Sequence, residues 1–270
     1  MKLMTIAFLN GNRALAVRAP AAADGLAIAK ALRLLPSQAF LLIHGGASGI
    51  PSAKMDQLRN LLAEGVARLA AEEGIAIING GTQAGVMRII GEEHARAGSS
   101  APLIGVCPAT LVSWPGGPSG SDLVPLEPNH THFVLTDGEH WGAETEAMFA
   151  LAAALSRDGL PSLAILANGG PIAYDEVLQD IRQGREIIVI RGSGRLADAI
   201  AAAVAGDDER SRIRAVGLHL ASLRERSSDN EPSDDELAAI VREGHITLFD
   251  ITGEPAALAT LIRRKLFEGK

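Results

Sequence analysis

Four glycine-rich corners carry most of the chemistry that this sequence could perform: Gly45-Gly46-Ala47, Gly80-Gly81-Thr82, Gly169-Gly170-Pro171 and Gly192-Ser193-Gly194-Arg195. Each follows a short apolar run and opens onto a helical pattern. Such a strand–turn–helix unit offers backbone N–H groups and the positive end of a helix dipole to an anion, usually a phosphate. The stretch 75–88 states the unit most fully. Ile75-Ala76-Ile77-Ile78 reads as a buried strand, Gly80-Gly81 permits a tight turn, Thr82 is suited to cap, and Gly85-Val86 lead into the helix. One glycine turn is commonly only a turn. Four predict a ligand with phosphate groups and a sugar or base, gripped largely by backbone amides.

Side chains near these corners add directed chemistry. Arg195 opens a helix beside a glycine turn, where its guanidinium can fork onto a phosphate; the alternative is a surface salt bridge. Glu176 follows Gly169-Gly170-Pro171 and suits either general acid/base work or ribose hydroxyls, although a carboxylate near a helix start is also common for dipole reasons. Tyr174 could face a base or simply pack. In Pro128-Asn129-His130-Thr131-His132-Phe133, Asn129, His130 and His132 either pin the preceding loop or reach the ligand. Chelation by His130 and His132 with Asp137 or His140 lacks a further well-placed ligand, and no metal is expected. Gly192-Ser193-Gly194 meets Ala197 where a third glycine would complete G-x-G-x-x-G, and no phosphate-loop lysine motif occurs. Ordinary hydride transfer with NAD and ATP hydrolysis are therefore disfavoured.

The elements that must position these residues read as alternating strands and helices. Strands are expected near residues 4–9, 40–43, 75–79, 103–106, 133–136, 163–167, 187–190 and 246–251. Helices are expected near 24–35, 52–73, 85–97, 143–156, 171 onward, 195–205 and 255–267, with another opened by the capping box Ser233-Asp234-Asp235-Glu236. The aperiodic, Pro-, Gly- and Ser-rich segment 111–129 is long enough to be a lid or binding loop. The polar stretch 206–235 reads as a partly mobile insertion. The pattern predicts one α/β domain over 1–270: a Rossmann-like, doubly wound, mostly parallel sheet with helices on both faces.

Composition agrees with that class. The 270 residues are 47% apolar and 21% charged, with only 3% aromatic. A net charge of -7 and no basic stripe argue against a nucleic-acid partner. The single cysteine, Cys107, lies in an apolar run and reads as a buried, inert thiol in a reducing compartment. No apolar run approaches the ~18 residues of a membrane span. With no secretory segment evident at Met1-Lys2-Leu3, a cytoplasmic location is expected.

Together these residues resemble a known family. The succession is Ile43-His44-Gly45-Gly46, Asn79-Gly80-Gly81-Thr82, Gly85-Val86, Ile90-Gly91 and Ile104-Gly105-Val106, then Pro128-Asn129-His130-Thr131-His132-Phe133, Asp137-Gly138 and Gly142-Ala143-Glu144, and finally Gly169-Gly170-Pro171 and Gly192-Ser193-Gly194-Arg195-Leu196-Ala197-Asp198. It is similar to the SLOG superfamily domain of melastatin-type TRP channels in its free-standing prokaryotic form, the LSDAT group. The resemblance implies a cytoplasmic sensor of a nucleotide-derived ligand, with ADP-ribose or a cyclic relative leading, no required cofactor, an effector partner and a homodimer. The wider superfamily includes LOG-type phosphoribohydrolases. Their second glycine motif falls on residues 168–176, keeping the glycine pair and Glu176, while their catalytic arginine falls on Glu144. That substitution should repel a phosphate, so hydrolysis of a nucleoside monophosphate through Glu176 stands as the alternative.

Overall fold

The computed structural model describes residues 1–46, 50–157, 159–205, 240 and 242–268. Ala47, the insertion expected over 206–235 and the capping-box helix at Ser233 lie outside the described residues.

Apolar runs bounded by turn formers become strands, and the amphipathic stretches between them become helices. The strands of the main sheet are β1 (Lys2–Ala7), β2 (Arg13–Ala19), β3 (Ala39–Gly45), β4 (Ile75–Asn79), β5 (Leu103–Pro108), β8 (His132–Thr136), β9 (Ser162–Ala167), β10 (Glu186–Arg191) and β11 (Ile246–Asp250). Their spatial order is β1-β2-β8-β5-β4-β3-β9-β10-β11. All neighbours are parallel except the β1–β2 hairpin. The short strands β6 (Val112–Ser113) and β7 (Val124–Pro125) pair with each other inside the loop before β8. The α/β architecture is thus as expected, with one strand added to the main sheet and a short strand pair within the loop expected to be aperiodic. β2 was not anticipated: its alternate alanines, Ala14 and Ala16, have weak strand propensity and become inward-facing only once β2 pairs with β8.

Helices cover both faces. One layer contains α1 (Gly25–Leu32), α5 (Thr145–Arg157), α6 (Pro171–Arg182) and α7 (Arg195–Ala205). The other contains α2 (Ser52–Leu62), α3 (Arg68–Glu73), α4 (Gly85–Arg96) and α8 (Pro255–Arg263), with a π-helical turn at Ala63–Ala67 joining α2 to α3. Strand alternation divides the core between the layers: Phe40 and Leu42 pack with Ile28, Leu151 and Val177, whereas Leu41 and Ile43 pack with Leu61, Val66 and Ile89. A third cluster, including Ile6, Phe8, Cys107, Val112, Leu126 and Phe133, fastens the loop to the hairpin edge.

From β3 the chain steps outward through β4, β5 and β8, and then returns to lay β9, β10 and β11 on the other side of β3. The order therefore reverses between β3 and β9. In open parallel sheets the crevice beyond the carboxyl ends at such a reversal is where ligands sit. The four glycine corners follow β4, β3, β9 and β10, which are consecutive neighbours, so they line one stretch of this rim.

Candidate functional site

A cavity of about 500 Å³ opens on that rim. Its walls combine the exits of β3, β4, β9 and β10 through Gly45 and Gly46, Gly80 and Thr82, Gly170 and Pro171, and Arg195. Met87, Ile172 and Trp141 supply apolar surface, Val124 comes from the long loop, and Glu144 and Glu176 bring carboxylates.

The glycines have different jobs. Gly46 has nothing within 4 Å of where a Cβ would stand, and Gly80 has only the Met87 side chain at 4.0 Å. At Gly170 the nearest group is the Arg195 guanidinium, at 3.0 Å. At these three the space where a side chain would stand is open or filled only by a flexible side chain. Gly45, by contrast, has φ +135° and a Cβ there would meet the Ala167 carbonyl oxygen at 1.9 Å. Gly81 has φ +67°, and its Cβ would strike Gly105 at 2.6 Å. Both are required for close approach of neighbouring backbone, and the Gly81 amide already donates to Asn79 Oδ1 at 2.8 Å. Thr82 does not cap α4; Ala84 occupies that position, because Thr82 is drawn into a bridge with Leu126.

Asn168 ties the corners together. It sits in the left-handed region at φ 61°, its Nδ2 donates to the Gly46 carbonyl at 2.9 Å, and its N–H donates to Ser193 Oγ at 2.7 Å. Its carbonyl accepts from Ala197 N–H in the first turn of α7. Arg195, also left-handed at φ 46°, brings its guanidinium over Gly170. A non-glycine residue held in that region is uncommon and clusters at functional sites.

Behind Glu176 lies a buried chain of charges. His44, the last side chain of β3 before the glycines, places Nδ1 3.1 Å from Glu176 Oε2 and Nε2 2.7 Å from Asp180 Oδ2. Asp180 is in turn held by Arg185 Nη1 at 2.5 Å, and the His44 ring stacks on Phe149 at 5.9 Å between centroids. Burial opposes protonation of His44, but the two carboxylates outweigh it and raise its pKa to about 10. The imidazole is therefore a cation at neutral pH. At Glu144, burial, with the Glu176 charge adding to it, lifts the pKa to about 7, and its Oε2 accepts from Gly142 N–H at 2.7 Å.

The remaining anticipated residues lie around the cavity or behind it. Gly169, at φ +93°, packs against Ala173 and Leu166. The Gly192 amide donates to Asp198 Oδ1 at 2.5 Å. Ser193 is buried and donates to the Ile190 carbonyl, while Gly194, at φ +107°, faces Asn168 Oδ1. Gly85, at φ 52°, opens α4, and Val86 is in the core. Tyr174 is also core, packed with the α5–α6 layer. His130 is fully buried, with Nδ1 2.8 Å from Glu127 Oε2 and Nε2 2.9 Å from Asn79 Oδ1. Asn129 is tied to the same Glu127 carboxylate through its backbone and side chain, and His132 Nδ1 lies 2.8 Å from Thr131 Oγ1. This motif fixes the loop to β4. Among the described residues no three His, Cys, Asp or Glu side chains converge on a possible metal position, and no helix is long and apolar enough to cross a membrane.

Sequence reasoning passed over His44, Glu127, Trp141 and the part Glu144 takes in the cavity wall. The signal for His44 was its place at a strand end directly before a glycine pair. Trp141 stands between His140 and Gly142 in the loop that follows β8.

Comparison with known proteins agrees with this architecture. Residues 38–255 match the family described as "SLOG in TRPM, prokaryote". Transient receptor potential cation channel subfamily M member 2 of Mus musculus is 27% identical over 200 residues, 60% of this chain and 13% of the channel. Subfamily M member 7 of Homo sapiens is 26% identical over 190 residues, 59% of this chain and 10% of the channel. The member-like 2 protein of Nematostella vectensis is 28% identical over 181 residues, 53% of this chain and 12% of the channel. The chain thus spans only about an eighth of such relatives. With four-fifths of its length matched by the family and its glycine corners gathered on one sheet rim, this chain belongs to the prokaryotic SLOG family related to TRPM channels.

Proposed function

We propose that the rim cavity binds a nucleotide-derived, phosphate-bearing ligand, ADP-ribose or a cyclic or related NAD-derived metabolite. The observation that carries this reading is the convergence of Gly46, Gly80 and Gly170 with the Arg195 guanidinium around one cavity at the point where strand order reverses. The guanidinium and the start of α6 suit a phosphate. Trp141 is 39% exposed at the cavity and suits stacking against a base, a role in which it replaces Tyr174. The named relatives are cation channels, and we propose that this chain reports occupancy of its cavity to a partner protein or a second copy of itself.

The test is thermal unfolding with ADP-ribose, its cyclic isomers, NAD, AMP and ATP. A ligand present at 100 times its Kd stabilises the fold by about 2.7 kcal/mol and should be recovered intact. No shift with any of the panel overturns the reading.

A second reading is supported by the two carboxylates, Glu144 and Glu176, that share the cavity. Burial lets Glu144, with its pKa near 7, carry a proton near neutral pH, while Glu176 is held 3.1 Å from His44, an arrangement suited to N-glycosidic cleavage. It predicts release of adenine from AMP, abolished in Glu176→Gln.

A further inference from the structure

The cavity is chemically two-sided, and its acidic side constrains what can enter. Arg195 lies over Gly170 at the start of α6. Glu176 stands six residues further along that helix, roughly 9 Å between Cα positions at 1.5 Å per residue. Glu144, on the segment between β8 and α5, lines the same cavity close enough for the Glu176 charge to act on it. Glu176 is 8% exposed and cannot swing away freely, since His44 engages it at 3.1 Å. His44 is itself fixed by Asp180 and Arg185 behind it. The fold thus devotes a buried imidazole, a buried carboxylate and a buried guanidinium to keeping one carboxylate at the cavity wall.

We infer that Glu144 and Glu176 are specificity-determining residues that accept the free vicinal hydroxyls of a ribose and reject the same sugar when it is phosphorylated, with His44 positioning Glu176 for that task. This rests on the nucleotide reading above and narrows it to ligands with an unmodified ribose diol. An ionised carboxylate is acceptor-only and can take both hydroxyls of a diol; a carboxylate on the ribose 2′-hydroxyl performs the same discrimination in dinucleotide-binding sheets. A phosphate at that position would instead bring close to two negative charges against Glu176 in a partly desolvated pocket. At an effective dielectric of about 20 such a contact weakens binding by roughly a hundredfold or more. Of the cations nearby, Arg195 lies over Gly170 at the other end of the cavity, and both nitrogens of His44 already face carboxylates.

Calorimetric titration of the full chain with ADP-ribose and with its 2′-phosphorylated counterpart tests this. The wild type should bind the unphosphorylated ligand about a hundredfold more tightly. Glu176→Gln should shrink that ratio at least tenfold, chiefly by improving binding of the phosphorylated ligand. Glu144→Gln, which leaves the His44 contacts intact, should shrink it in the same direction. Equal affinity of the two ligands for the wild type, or a ratio unmoved in both variants, overturns the inference while leaving nucleotide binding standing. Failure of both ligands to bind overturns the nucleotide reading and this inference together.

Discussion

Replacing His44 with phenylalanine should cost the protein a large part of its stability without emptying the space that the ring fills. The phenyl ring keeps the stack on Phe149, at 5.9 Å in the wild type, so the loss isolates the charge. His44 is fully buried between Glu176 and Asp180. Without it, two buried or nearly buried carboxylates remain, and Arg185 pairs with Asp180 alone of the two among the described residues. Removing one partner of a buried ion pair typically costs about 3–5 kcal/mol. For a chain of this size that is a fall in Tm of roughly 6–20 °C. The dependence on pH has a definite sign. His44 holds its proton more tightly folded, at about 10, than unfolded, at about 6.5. Its contribution is therefore complete below the unfolded value and is lost as pH rises through the folded one. Urea unfolding of wild type and variant from neutrality upward should show the gap narrowing steadily as pH approaches 10. Adding Glu176→Gln to the variant should recover about 1 kcal/mol or more by removing the stranded charge. A loss below about 1 kcal/mol, or a gap indifferent to pH, would refute the proposed chain of charges.

The two glycines after β3 should respond oppositely to alanine. Gly45→Ala forces a Cβ against the Ala167 carbonyl at 1.9 Å from a φ of +135° and should cost about 3 kcal/mol or more, whereas Gly46→Ala meets open space and should cost under about 1 kcal/mol; equal losses in urea would contradict the division of labour. His94 and His132 are held neutral mainly by burial, each with its pKa lowered to about 4. Their contribution is present above the unfolded value near 6.5 and lost as pH falls through about 4, so the double variant His94→Gln/His132→Gln should flatten the acid limb of the stability curve, and an unchanged slope would count against it. Burial, with the Glu144 charge adding to it, pushes the Cys107 thiol well up, so iodoacetamide should modify it only as fast as the chain unfolds; rapid labelling of the native protein would disprove that.

How far the sequence reaches depends on how local each cause is. The glycine corners, the Pro171 helix start and the helix start at Arg195 are set within a few residues by backbone sterics, and so they stand out in the sequence. The Asp24 cap of α1, accepting from Ala27 N–H at 2.8 Å, is equally local. Thr82 looked like a cap for the same reason, but a bridge to Leu126, distant in the chain, claims it. His44 was silent because its partners lie 132 and 136 residues later, on successive turns of α6. Glu127 was hidden in an aperiodic loop, although its carboxylate holds Asn129 and His130 at once. That network explains why an Asn-His-Thr-His run rich in possible ligands is bound into the architecture instead of standing open. β2 escaped notice because alternation among alanines carries little signal until a sheet supplies the neighbours.

The bonds made by Asn168 bear on how tightly such a cavity can hold its guest. One side chain and one peptide unit join the Gly46 carbonyl, the Ser193 hydroxyl and the opening turn of α7, so three walls that belong to separate loops behave as a single rigid piece. A visitor arriving there finds the spacing of the walls already fixed, and little loop motion has to be frozen at the moment of capture. Such preorganisation raises affinity without adding a contact, and it means that a change made in any one wall will be felt by the other two.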